Sequence, residues 1–173
     1  MNKKDFSRNC LSQALIELLE DHRLYEISIQ DIVDKAGFSR MAYYRNFNNK
    51  DEMIDYALDT IFDTFIKKVD LSFQRMEPFV FFKTVFDFLA SDEMVKMTKL
   101  LLKERRASHL YLQFLKHTQG GFLPDQSHYF YDYIAGGFFS VYISWIKGGM
   151  KETPEQMAEQ SAHFGEMHKN KMI

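Results

Sequence analysis

The chain has 173 residues, 46% of them hydrophobic and 27% charged, with a formal net charge of −2. This composition excludes a disordered chain, and the near-neutral charge gives no global signal of nucleic-acid binding. A single cysteine, Cys10, excludes an internal disulfide and a multi-cysteine zinc site.

Three prolines and no sustained β-branched alternation leave a chain that reads as helices throughout. From Lys3 to Asp21, Cys10, Leu11, Ala14, Leu15, Leu18 and Leu19 recur at helical spacing. Ser28 with Asp31 forms a capping signature, and a short helix follows from Ile29 to Lys35. Gly37 suits the left-handed position that ends it. Ser39 caps a second short helix running to Phe47. Asn49, with Glu52 three residues on, opens a long helix carrying Met53, Ile54, Ala57, Leu58, Ile61, Phe62, Phe65 and Val69.

Pro78 introduces an aromatic helix to Leu89, and Ser91 caps the next, with Asp92 and Glu93 in its first turn. A further helical stretch ends near Thr118. Ser127 to Lys147 reads as one helix, apolar almost all round, and Thr153-Pro154-Glu155-Gln156 opens the last. The expected fold class is all-α, with about nine helices.

The longest charge-free run, Tyr133 to Ile146, is fourteen residues, too short to span a bilayer. The opening Met1-Asn2-Lys3-Lys4-Asp5 lacks the apolar core of a signal peptide. A cytoplasmic protein with no membrane partner is expected. No nucleophile–base pair, glycine-rich phosphate loop or carboxylate pair stands out, so no catalysis and no cofactor are expected. His109 with His117, and His163 with His168, lack metal-ligand spacing, so no metal is expected.

The two short helices joined by Ala36-Gly37-Phe38 form a helix-turn-helix. In the second, Tyr43 and Phe47 share one face and suit a core, whereas Met41 and Arg45 share roughly the opposite face, flanked by Arg40 and Tyr44. An outward face of two arginines, a tyrosine and a methionine fits the DNA major groove. Arg40 suits a bidentate pair with guanine and Met41 a thymine methyl. Tyr44, Ser28 and Lys50 suit phosphates, which set register, and Arg45 joins that phosphate-facing set. Lys3, Lys4, Arg8, Arg40, Arg45 and Lys50 are expected to form a one-sided basic surface.

The run from Tyr25 to Glu52, with Ile29-Gln30-Asp31-Ile32-Val33 and Ala36-Gly37-Phe38-Ser39-Arg40-Met41-Ala42-Tyr43-Tyr44-Arg45-Asn46-Phe47 at its centre, resembles the DNA-binding signature of the TetR/AcrR regulators. About 55 residues carry the likeness; beyond them only the helical layout and the late Gly-Gly-Phe-Phe, Trp and Thr-Pro-Glu elements are similar. The resemblance implies base reading by Arg40 and Met41, with Gln30 an occasional base or phosphate contact. It implies phosphate contacts by Ser28, Ser39, Tyr44, Asn46 and Lys50. Ala42 departs from the hydroxyl residue usual there, so one contact is expected to be missing. The implied domains are a DNA-binding head over residues 1–50 and a helical regulatory and dimerisation domain over 51–173, with the helix over 51–70 connecting them.

Of 27 aromatic residues, 19 lie between Phe62 and Trp145. Two uses compete for them. One is a core plus a twofold seam, because a helix apolar on all sides needs partners on two. The seam residues expected are Phe130, Ile134, Gly137, Phe138, Val141 and Trp145, with Met157, Ser161 and Phe164 of the last helix. The other use is an apolar pocket for a hydrophobic or aromatic effector, lined by Phe62, Phe65, Phe82, Phe86, Tyr111, Phe114 and Tyr142. The expected function is a dimeric regulator, a repressor, of palindromic operator DNA, released by that effector. The alternative keeps the DNA-binding head and docks a protein partner on the aromatic domain.

Overall fold

The structure is a computed structural model that describes residues 3–68, 76–118 and 128–169. Val69, Gly120, Gly121, Pro124 and Ser127 lie outside them. Nine α-helices occur among the described residues, in the order α1 (Lys3–Asp21), α2 (Ile29–Ala36), α3 (Arg40–Asn46), α4 (Lys50–Lys68), α5 (Pro78–Leu89), α6 (Asp92–Lys103), α7 (Ala107–Thr118), α8 (His128–Lys147) and α9 (Pro154–Lys169). No described helix is long and apolar enough to cross a membrane.

The local signals explain the boundaries. Ser28 Oγ accepts from the Asp31 N–H and Asp31 accepts the Ser28 N–H in return, a closed capping box at 3.2 and 2.8 Å. Thr153 and Gln156 repeat that exchange at the start of α9, at 3.2 and 2.9 Å. Asn49 Oδ1 caps α4 by accepting from Glu52, whose own carboxylate reaches back one residue further, to the Asn48 N–H. Pro78 takes the first position of α5, and Glu77, not singled out in the sequence, is its cap.

The packing divides the chain into two compact units: residues 1–63 with 97–113, and 64–96 with 114–173. The division expected near residue 50 does not coincide with this one. α4 continues unbroken from Lys50, and the end of α6 with the start of α7 joins the first unit.

In the first unit α1 packs on α2 and α3, and α2 on α3. Leu11, Leu15 and Leu19 of α1, Ile32 of α2, Tyr43, Phe47, and Met53, Ile54 and Leu58 of α4 are fully buried. Hydrogen bonds fix α1 to α4. Ser12, itself buried, donates to the Met53 carbonyl at 2.9 Å, and the Tyr56 hydroxyl donates to Asn9 at 2.7 Å. A buried hydroxyl without such a partner costs about 1–3 kcal/mol.

In the second unit α5 packs on α9, and the core is built of rings. Phe138 of α8 lies 5.3 Å from Phe86, 5.4 Å from Phe114 and 6.1 Å from Phe82. Trp145 meets Phe86 edge-on at 5.5 Å, and Phe65 stacks flat on Phe88 at 3.9 Å. The Trp145 indole N–H donates to the Glu152 carbonyl at 3.0 Å, fixing the turn that Gly149 makes at φ 85°.

The structure divides the residues expected at the seam between the core and the surface. Phe138 and Trp145 of α8, and Met157 and Ser161 of α9, turn into the chain's own core. Val141 is half-buried, and the side chains of Phe130 and Phe164 lie outside the described residues. Ile134 and Gly137 are exposed, as are Tyr129, Tyr133, Ser140 and Ser144. The outward stripe is therefore Tyr129, Tyr133, Gly137, Ser140 and Ser144, spaced 4, 4, 3 and 4. It lies one residue, about 100° of helix rotation, from the stripe expected. The expected pocket set is likewise divided. Phe62 and Tyr111 belong to the first unit, and Phe65, Phe82, Phe86, Phe114 and Tyr142 to the second.

Candidate nucleic-acid interface

The helix-turn-helix is held from within. Gly37 adopts φ 71°, ψ 32°, and its N–H and that of Phe38 return to the Asp34 and Val33 carbonyls. This left-handed closure releases the chain into Ser39, whose hydroxyl accepts from the Ala42 N–H at the start of α3. Only two turns long, α3 buries Ala42 and Tyr43, with Phe47 just beyond its end.

That burial fixes what faces outward. Arg40 is exposed, and among the described residues no hydrogen bond or ion pair engages it. Met41 is 67% exposed and Tyr44 60%. The Tyr44 ring stands edge-on to Tyr43 at 5.2 Å, an apolar brace that holds its phenol at the surface. Arg45 is exposed and spends its Nε–H on the Met41 carbonyl at 3.2 Å, which orients the rest of the guanidinium. Ser28, Ser39 and Gln30 are exposed, and Gln30 donates to Asp34 at 2.6 Å.

Three residues sit differently from what their sequence positions suggest. The Asn46 amide donates inward, to the Ala42 carbonyl at 2.7 Å and Ser7 Oγ at 3.3 Å, so its hydrogens tie α3 to α1. Lys50 is half-buried; its ammonium donates to the Leu24 and Ile27 carbonyls, the latter at 2.7 Å. Burial pushes this ammonium below the ordinary lysine range, Asp51 pulls it up and Arg106 adds to the lowering. Arg8 leaves the expected basic surface altogether. Its guanidinium lies over the Tyr56 and Phe47 rings, at 4.4 and 4.8 Å, with Glu52 at 3.7 Å. Ala42 is packed inside, so the alanine removes no outward-facing group there.

The sequence reading passed over Tyr25, which stands 82% exposed in the link before Ser28. Its one signal was an aromatic residue outside any apolar period. Nor does the sequence name the partners at the corner between α6 and α7, where Arg106 pairs with Asp51 and His109 Nδ1 lies 2.6 Å from Asp55. No local pattern connects residues this far apart.

Two family models match this chain. The description "Bacterial regulatory proteins, tetR family" covers residues 12–57, and "Transcriptional regulator C-terminal region" covers residues 77–164, half the chain. The chain belongs to the tetR family of transcriptional regulators. Its helix-turn-helix is thus the family's DNA-binding domain, and the helices after it are the family's C-terminal domain. Among solved structures, the fatty acid degradation regulator FadR from Bacillus halodurans is similar in fold. The match has a TM-score of 0.56 over 94% of each chain, at 15% identity. No curated protein matches the chain.

Proposed function

We propose that this regulator binds a palindromic operator as a homodimer and represses, with α3 in the major groove. The observation that carries the reading is the outward face of α3: Arg40, Met41, Tyr44 and Arg45 opposite a buried Ala42, Tyr43 and Phe47. Arg40, whose donors are uncommitted among the described residues, pairs with guanine, and Met41 reads a thymine methyl. Ser28, Ser39, Tyr44 and Arg45 hold phosphates, and Gln30 contacts the edge of the site. Lys50 has one ammonium hydrogen beyond the two it gives to carbonyls, and that one is available to a phosphate. Asn46 acts through the placement of α3, because its amide hydrogens are already spent.

The dimer forms over the exposed α8 stripe of Tyr133, Gly137, Ser140 and Ser144, where small residues admit a second backbone. Twofold symmetry then sets the recognition helices about 34–36 Å apart, one turn of duplex. The effector is a hydrophobic or aromatic small molecule taken up by the C-terminal domain. Its ring-built interior around Phe82, Phe86, Phe114 and Phe138 suits such a ligand.

Selection of bound fragments from random duplex DNA tests the head and the dimer together. A palindrome with half-sites one turn apart is expected. Arg40→Ala then relaxes preference at one position per half-site, by about 1–3 kcal/mol. An unchanged base preference in that variant refutes the assignment of α3 as the reading helix.

A further inference from the structure

In the first unit, the end of α1 at Asp21 lies beside the end of α6 at Lys103. Each C-terminus carries partial negative charge and carbonyls with no intrahelical partner. Side by side, such ends repel unless cations are supplied. Here each end supplies a cation to the other. The Lys103 ammonium donates to the carbonyls of Leu19, Glu20 and His22, at 3.0, 3.2 and 3.4 Å. Arg23, just past the end of α1, donates through Nη1 to the Lys103 carbonyl.

Glu104 completes the exchange. Its side chain is only 8% exposed, and it accepts from the Leu24 N–H at 3.2 Å while lying 3.5 Å from Arg23. Further backbone groups of the link are also engaged. The Arg23 N–H goes to the Glu26 carboxylate, the Glu26 N–H to the Arg23 carbonyl, and the Leu24 and Ile27 carbonyls to Lys50. Ser28, the α2 cap, is the next residue.

We propose that Lys103 and Glu104, some fifty residues beyond the helix-turn-helix model match, are positioning residues for DNA binding. They fix the link from His22 to Ile27, and the link fixes where α2 begins. An ammonium has three hydrogens, and Lys103 spends all three on carbonyls, leaving none for a phosphate. The inference rests on the DNA-binding reading above.

The test uses the full-length chain and the duplex that the wild-type chain selects from a random pool. Lys103→Met keeps the side-chain stem and removes the donors. Amide exchange across Leu24–Ile27 in the free protein is expected to speed up about tenfold, and operator affinity to fall by about the same factor. The slope of log affinity against log salt stays that of the wild type, and Lys103→Arg recovers most of the affinity. Glu104→Ala gives the same pattern through the other arm, and decides the matter if Lys103→Met fails to fold.

Unchanged exchange across the link overturns the proposal. So does a salt slope smaller by about one, which makes Lys103 a phosphate contact. Exchange is read without DNA. A wild-type chain that selects no duplex therefore refutes the DNA reading alone, and the exchange arm still decides the clasp.

Discussion

Replacing Gly37 with alanine isolates a backbone cost from every other one. A Cβ built at Gly37 meets nothing within 4 Å, so no neighbour has to give way. The penalty is conformational: at φ 71° an alanine sits in the left-handed region, costing about 1–2 kcal/mol. A stiffer unfolded chain returns roughly 0.4–1 kcal/mol. The net loss is about 1 kcal/mol, which lowers the melting temperature by ~2–4 °C for a chain of this length. Gly149 provides the matched control, with φ 85° and the same open space, in the second unit. Gly149→Ala should cost the same stability. Only Gly37→Ala should weaken operator binding, by about fivefold, the factor equivalent to 1 kcal/mol. Circular-dichroism melts give the first comparison and fluorescence anisotropy on the selected duplex the second. If both variants lose affinity equally, the turn has no special part in presenting α3. If Gly37→Ala is as stable as the wild type, the turn does not require the left-handed state.

Three further outcomes are expected. Asp31 is held below the ordinary carboxylate range, first by the Ser28 hydroxyl and then by the Ser28 N–H. An acid depressed in the folded state stabilises above its unfolded value and loses that contribution as pH falls through the folded one. Melts taken between about pH 5 and pH 2 should therefore fall more steeply for the wild type than for Asp31→Asn, and parallel curves would remove Asp31 from the capping role. Trp145→Phe preserves most of the ring packing but deletes the donor to Glu152, at a cost of about 1–3 kcal/mol from the carbonyl left alone; chemical denaturation that finds no loss would count against that bond. Tyr133 is 64% exposed in a single chain. Tyr133→Glu should shift sedimentation towards monomer without lowering helix content, and an unshifted dimer would move the seam elsewhere.

The sequence displayed well whatever is decided locally. Caps at Ser28, Ser39, Asn49 and Thr153 and the left-handed Gly37 depend on residues within four positions, so helix limits and the helix-turn-helix were legible. The outward face of α3 was legible because Tyr43 and Phe47 set its phase. α8 offered no such contrast. With apolar residues on nearly every side, its periodicity does not say which of two adjacent stripes faces outward. Side-chain direction was lost where partners lie far along the chain. Arg8 looked like a surface cation until Phe47 and Tyr56 supplied its rings. Lys50 and Asn46 occupy positions associated with phosphates, yet nearby protein oxygens claim most of their hydrogens.

The clasp between α1 and α6 also bears on the order in which the protein is made. Lys103 follows Leu19, whose carbonyl it caps, by 84 residues. At about 5–20 residues per second, that interval takes roughly 4–17 s of synthesis. α1 leaves the ribosome before α6, yet its C-terminal carbonyls wait for α6. A nascent chain halted after α4 therefore carries the whole helix-turn-helix signature and still lacks the groups that settle its first helix. The DNA-binding head, though it precedes α6 in the chain, is finished only once α6 has been made.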